Sequence, residues 1–173
     1  HLQKGGTIIV SKKSIMQKEF WNIFNNFKIT SFNGVPYIFE MMNKIGFKRF
    51  ITKNLRYITQ AGGKLDTKIS LKLAKLAMKK KIQFFSMYGQ TEASPRISFL
   101  EPKFSIIKNG SIGKPIPNTK MWIQNGNKIV KKSYKKGNIY FSGKNIMMGY
   151  ANNYLDLSRS PRRKNKLDTG DIG

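Results

Sequence analysis

Tyr88-Gly89-Gln90-Thr91-Glu92 sets a flat aromatic ring, a flexible backbone joint, an amide, a hydroxyl and a carboxylate at five consecutive positions. Such a set suits a nucleotide and its metal, because it offers a stacking face, hydrogen-bonding groups and the hard oxygen donor that Mg2+ prefers. A second stretch, Ala61-Gly62-Gly63-Lys64, has two adjacent residues without Cβ. The pair reads either as a plain tight turn or, more sharply, as a place where a purine slides close to backbone.

The elements that must position these residues follow from the spacing of apolar side chains. Ile82 to Met87 is short, apolar and aromatic, which predicts a buried strand that empties into the Tyr88–Glu92 loop. In an open α/β sheet ligands bind beyond the carboxyl ends of strands, where this loop would lie. Upstream, strands are expected at Thr7 to Val10, Lys28 to Phe32 and Leu55 to Ala61. Between them fall a helix capped by Ser14, with Met16, Phe20, Ile23, Phe24 and Phe27 on one stripe, and a helix from Pro36 to Lys44 ended by Gly46. Asp66 or Thr67 is expected to cap a long third helix whose Leu71, Ala74, Leu76, Ala77 and Met78 face the sheet. Four alternations of strand and helix argue for an α/β fold with a mostly parallel sheet and flanking helices. If the strands at 55–61 and 82–87 are neighbours, their two loops line one crevice.

After Pro102 helical periodicity stops and turn residues crowd together. Short strands are expected at Lys120 to Gln124, Lys128 to Val130 and Asn138 to Ser142, with Asn125-Gly126-Asn127 joining the first two. The expected organisation is a partial α/β subdomain over 1–102 followed by a small β-rich, barrel-like subdomain over 103–173. Asn145 to Tyr150 reads as a bulged or looped segment in which Met147 and Met148 pack. Arg159, Arg162, Arg163, Lys164 and Lys166 surround Pro161 in what reads as an exposed loop, with a phosphate-binding patch as the alternative.

Composition bounds the function classes. A hydrophobic fraction of 39% fits a globular chain of 173 residues. No run approaches the ~18 apolar residues of a spanning helix, so a membrane span is excluded and the cytoplasm is the default compartment. Without cysteine there is no thiolate nucleophile and no Cys-based zinc site. Lys and Arg number 33 against 8 Asp and Glu, a formal charge of +25 that raises a nucleic-acid-binding module as an alternative. The cations are mostly Lys scattered along the chain among abundant Asn, Ile and Phe, a pattern attributed to an A/T-rich genome, so nucleic acid is disfavoured as a partner. His1 and Gly173 both look like cut ends.

Several stretches together resemble the adenylate-forming superfamily of acyl-CoA synthetases, acid–AMP ligases and adenylation domains. Met87 to Ala93 is similar to its Tyr-Gly-x-Thr-Glu motif, and Gly62-Gly63 falls where the family has its Gly-Gly. Gly110 to Pro117 resembles the Gly-x-x-Gly-x-Pro segment, Gly143 to Tyr150 the Gly-x-x-x-Met-x-Gly-Tyr segment, and Thr169-Gly170-Asp171 the Thr-Gly-Asp motif. The resemblance covers essentially the whole chain.

It implies an ATP site in which Gly62, Gly63, Lys64, Met87, Tyr88, Gly89, Gln90, Thr91 and Asp171 bind nucleotide. Tyr88 would stack on adenine, Asp171 would accept hydrogen bonds from the ribose hydroxyls, Thr91 would meet phosphate oxygens and Glu92 would hold Mg2+, so Thr91 and Glu92 are also the implied catalytic residues. The implied reaction is attack of a carboxylate on the α-phosphate of ATP, giving an acyl-adenylate and pyrophosphate. Coenzyme A, or the phosphopantetheine of an acyl carrier protein, would then take the acyl group. Asn33, Gly34, Tyr37, Gln60, Ala61, Ser86 and Met87 are the implied acid-pocket candidates. The family's phosphate loop is expected upstream of this stretch, and its hinge and C-terminal catalytic Lys downstream. The chain thus reads as an internal part of the large N-terminal domain, expected to be inactive alone, with a truncated remnant of the ligase fold as a further alternative.

Overall fold

A computed structural model describes Leu2–Ser158 and Lys166–Gly173. The expected basic loop around Pro161 therefore lies largely outside the described residues. The chain divides into two compact units, His1–Phe85 with Glu101–Gly110, and Ser86–Leu100 with Ser111–Gly173.

In the first unit β1 (Ser31–Gly34) and β2 (Tyr57–Gln60) run parallel, with Ser31 opposite Tyr57 and Gly34 opposite Gln60. Helices α1 (Lys18–Asn26), α2 (Pro36–Ile45) and α3 (Thr67–Lys79) flank them. The N–H of Gln83 donates to the carbonyl of Arg56 at 2.9 Å, which brings the start of β3 (Gln83–Tyr88) against the residue before β2. The core is aromatic. Phe39, Phe50, Phe84, Ile58 and Leu73 are almost fully excluded from water, and Trp21 packs on Phe50 with ring centroids 4.1 Å apart. The indole N–H of Trp21 donates to the carbonyl of Ile15 at 2.6 Å, so the ring is buried without stranding its polar atom.

Local chemistry explains where these helices begin and end. Pro36 stands in the first turn of α2, where its missing N–H costs no bond, and Gly46 follows the helix in a left-handed conformation. Asp66 caps α3 as expected: its Oδ1 accepts from the N–H groups of Lys68 at 2.9 Å and Ile69 at 3.0 Å.

Four local expectations are corrected. Thr7 to Val10 forms no strand, and Ile8 and Val10 are exposed, because β-branched residues alone do not make a strand without a partner to pair with. Ser14 does not cap α1: its N–H donates to Oε1 of Gln17 and its Oγ accepts from Met16 N–H, so it shapes a turn ahead of the helix and leaves Met16 exposed. Of the α1 stripe only Phe24 is fully buried, and Phe27 is exposed beyond the helix end. The buried face of α3 runs through Ser70, Leu73, Ala74 and Ala77, a three-and-four spacing rotated from the expected one that turns Met78 outward.

In the second unit the end of β3 pairs antiparallel with β4 (Ser98–Leu100), placing Tyr88 opposite Ser98, and β4 pairs with β5 (Lys114–Pro115). The five strands follow the order β1-β2-β3-β4-β5, a mixed sheet with an antiparallel extension that the sequence pattern does not announce. A second sheet is antiparallel throughout, in the order β7-β6-β8-β9. Its strands are β6 (Lys120–Asn125), β7 (Lys128–Ile129), β8 (Asn138–Ser142) and β9 (Leu167–Ile172). Gly126 and Asn127 turn β6 into β7, as their types demand. This β-rich sheet is open, not closed into a barrel. Its core is small: Ala93, Ile97, Phe141 and Leu167 are buried, with Tyr88, Met121 and Ile146 packed against them.

Candidate active site

Strand β3 delivers Tyr88 to the rim of the second unit, and the chain then makes a closed loop. The carbonyl of Tyr88 accepts from Ile97 N–H at 3.0 Å, so residues 89–96 are pinched off as an excursion from the β3–β4 ladder. Gly89 allows that closure: a Cβ there would lie 1.9 Å from the carbonyl oxygen of Pro95, which no side chain tolerates. Inside the loop Thr91–Ala93 form one turn of 3-10 helix whose buried end, Ala93, anchors it in the small core, while Thr91 is exposed. Glu92 stands on the same turn with its carboxylate at the surface.

Strand β9 brings the Thr169-Gly170-Asp171 segment to the same loop. The phenol of Tyr88 donates to Oδ2 of Asp171 at 2.6 Å across 83 residues of chain. Burial, reinforced by this hydrogen bond, pushes the Tyr88 phenol up to about 12. Thr169 ties the segment down by donating from Oγ1 to the carbonyl of Ile139 at 2.9 Å, and its Oγ1 accepts from Asp171 N–H at 3.2 Å. A second phenol–carboxylate pair lies on the other side of the motif: Tyr150 donates to Oε1 of Glu92 at 2.6 Å. That bond holds the Glu92 carboxyl below its ordinary range and raises the Tyr150 phenol. A third pair follows the β8–β9 ladder, where Tyr140 faces Asp168, lowering the carboxyl and raising the phenol.

The structure thus brings Tyr88, Gly89, Gln90, Thr91, Glu92 and Asp171 into one loop cluster. Met87 lies half-buried in the β3–β4 ladder opposite Phe99. Gly62, Gly63 and Lys64 belong to the first unit. There Gly62 and Gly63 take φ of 82° and 152°, and Gln60 Nε2 donates to the Gly63 carbonyl at 2.7 Å, which makes a braced, exposed turn beyond β2. Among the acid-pocket candidates of the same unit, Asn33 accepts from the hydroxyl of Thr59 and Tyr37 is exposed.

Sequence reasoning did not single out Asn145, Tyr150 or Thr169 individually. All three stand inside segments that carry the family resemblance, which was the available signal. Met148, expected to pack, is exposed.

The donor set can be weighed against a metal directly. Among the described residues no group of three or more His, Cys, Asp and Glu stands together. Glu92 is a single hard carboxylate at the surface, which fits a cation that takes most of its ligands from phosphate and water, as Mg2+ does. No helix among the described residues is long and apolar enough to cross a membrane.

These motifs, the mixed sheet and the separate antiparallel sheet are those of an adenylate-forming ligase domain. The sequence model of the AMP-binding enzyme family matches residues 1–151, and the chain belongs to that family. Its relatives include the 2-succinylbenzoate–CoA ligase of Bacillus pumilus, 39% identical over 90 residues that are 51% of this chain and 18% of the relative. The 2-succinylbenzoate–CoA ligase of Bacillus subtilis is 31% identical over 121 residues, 70% of this chain and 24% of the relative. Among solved structures, o-succinylbenzoate CoA synthetase of Bacillus subtilis in complex with its acyl-adenylate intermediate superposes with a TM-score of 0.71 at 26% identity, covering 90% of this chain and 30% of that one. VinN superposes at 0.69 and 26% identity over 88% of this chain and 38% of that one. The chain therefore spans between about a fifth and two fifths of the proteins it matches.

Proposed function

We propose that this chain carries part of the ATP site of a ligase that activates a carboxylic acid as its adenylate and passes the acyl group to coenzyme A. The observation that carries this reading is the loop cluster in which Tyr88 bonds Asp171 while Glu92 stands four residues further along the same loop. Asp171 lies beyond the family-matched residues, and its bond to Tyr88 supports treating Thr169-Gly170-Asp171 as part of the same site.

In this reading Tyr88 offers its ring face to adenine, and its phenol fixes one oxygen of Asp171 so that the carboxylate meets the ribose hydroxyls in a set orientation. The turn at Gly62-Gly63 exposes backbone that a flat ring can approach, with Lys64 beside it. Gly89 and Gln90 shape the loop, and Thr91 presents its hydroxyl to phosphate oxygens. Glu92 would hold Mg2+, which when bound neutralises charge on the phosphates. An oxygen of the acid attacks the α-phosphorus, the bond to the β-phosphate bridge breaks, and pyrophosphate leaves. A thiol then attacks the acyl carbonyl and AMP departs. The protein's part is positioning and charge stabilisation, so the lack of cysteine is no obstacle.

The names of the relatives support an aryl acid as substrate and coenzyme A, rather than a carrier protein, as acceptor. A ligase that consumes ATP and coenzyme A belongs in the cytoplasm. The test is acid-dependent exchange of pyrophosphate into ATP by the native polypeptide that contains this chain, screened over aryl, fatty and amino acids. Exchange is expected with an aryl acid, and no exchange with any acid would overturn the reading. The 173-residue chain by itself is expected to show none, because the resemblance puts the phosphate loop and the catalytic Lys outside it.

A further inference from the structure

The segment Gly143–Tyr150 makes four hydrogen bonds to the loop after β3, three to the Thr91–Ala93 turn and one to Arg96. Asn145 Nδ2 donates to the carbonyl of Ala93 at 2.5 Å and to that of Arg96 at 3.0 Å. The N–H of Met147 donates to the Glu92 carbonyl at 2.8 Å, and the Tyr150 phenol to the Glu92 carboxylate at 2.6 Å. Two of these bonds seize Glu92 itself, one by its backbone and one by its side chain. The other two hold the residue after it and the far side of the loop.

The arrangement is specific to an amide at position 145. Asn145 spends both N–H donors on carbonyls that have left the strand ladder, and its Oδ1 is buried without a partner among the described residues. A buried orphan acceptor is costly, so the residue is placed for its two donors and not for general packing. Gly143 makes room: a Cβ there would lie 2.6 Å from Asn145 Oδ1. Tyr150, by contrast, is 75% exposed and contributes little burial, so its phenol adds an oriented bond rather than a core contact.

We propose that Asn145 and Tyr150 are positioning residues for Glu92, and that the Gly143–Tyr150 segment is a clamp setting the carboxylate for a divalent cation bridged to nucleotide phosphates. The inference rests on the reading of Glu92 as the metal ligand. Partners that orient a ligating carboxylate typically alter metal affinity strongly when removed.

The test uses the native polypeptide containing this chain. Mn2+ binding in the presence of a non-hydrolysable ATP analogue is followed by electron paramagnetic resonance, and Mg2+ half-saturation is separated from kcat in pyrophosphate exchange. Tyr150→Phe removes one surface hydroxyl and is expected to keep the melting temperature while weakening Mn2+ about tenfold and raising the Mg2+ requirement in parallel. Asn145→Asp keeps the size but replaces the donors with an oxygen facing two carbonyls, and is expected to weaken Mn2+ further; Asn145→Ser, which restores one donor, should recover part of it. If Glu92→Gln loses Mn2+ while Tyr150→Phe and Asn145→Ser stay within about twofold of the parent, the clamp is overturned and the metal reading stands. If Glu92→Gln itself leaves Mn2+ binding unchanged, the metal reading falls and the clamp with it.

Discussion

The two units hold themselves together differently. The first buries a continuous cluster of large side chains, among them Phe24, Phe39, Phe47, Phe50 and Phe84. In the second unit the corresponding buried cluster has, among the described residues, one aromatic, Phe141, with Tyr88 packed against it, and much of the named order comes from directed polar contacts: phenols on carboxylates, an amide across two carbonyls, a hydroxyl on a strand carbonyl. Hydrophobic burial is large and undirected, whereas hydrogen bonds are individually modest but set orientation. The first unit is thus organised for stability and the second for holding polar groups in place, and substitutions should separate the two.

The largest effect is expected from Phe39→Ala, where a side chain with no exposure leaves a cavity. A loss of about 3–5 kcal/mol in denaturant unfolding is expected, enough to unfold a marginal domain. Gly89→Ala should invert the pattern. Its Cβ collides with the Pro95 carbonyl, so the loop must shift at a cost of about 1–3 kcal/mol, and nucleotide binding should fall out of proportion to stability when both are titrated on the same sample. Equal losses of both would blur the contrast between the units. Asp66→Ala, which strips the α3 cap, should cost about 1 kcal/mol and leave nucleotide affinity alone.

A further effect is one of pH. The Tyr88 phenol titrates near 12 in the folded chain against 10.0 ordinarily, so between those values the folded state binds more protons than the unfolded one. The stability tied to burial of the neutral Tyr88 phenol and its bond to Asp171 is therefore fully present below about pH 10 and is lost as pH rises toward 12. Tyr88→Phe should flatten that alkaline fall in a pH series of thermal melts, and an unchanged slope would assign the shift elsewhere.

How far the sequence could be read follows the range of the interactions. Where the determinant is local, it was legible: Pro36 and Gly46 bound α2, Asp66 caps α3, and β8 begins at Asn138 and ends at Ser142 as its pattern indicates. The short β4 and β5 were not, since three and two residues carry no period and exist by pairing with β3 and each other. Thr7 to Val10 shows the converse, a strand-like composition with no ladder. At the site, residue types singled out Tyr88 and Glu92 as candidate ligand groups, and the family resemblance added Asp171. That each carboxylate is engaged by a phenol depends on contacts 58 and 83 residues apart, which no local spacing encodes.

The most direct test of the central claim is calorimetric titration of Mg2+-ATP into the native polypeptide containing this chain, with and without Asp171→Ala. Loss of the charged acceptor proposed to meet the ribose should weaken ATP about tenfold or more, since hydrogen bonds to charged groups contribute about 1.5–3 kcal/mol, beyond any fall in melting temperature from losing the Tyr88–Asp171 bond. Undiminished ATP affinity in the variant would contradict the account, because the Tyr88–Asp171 cluster would then not be part of a nucleotide site.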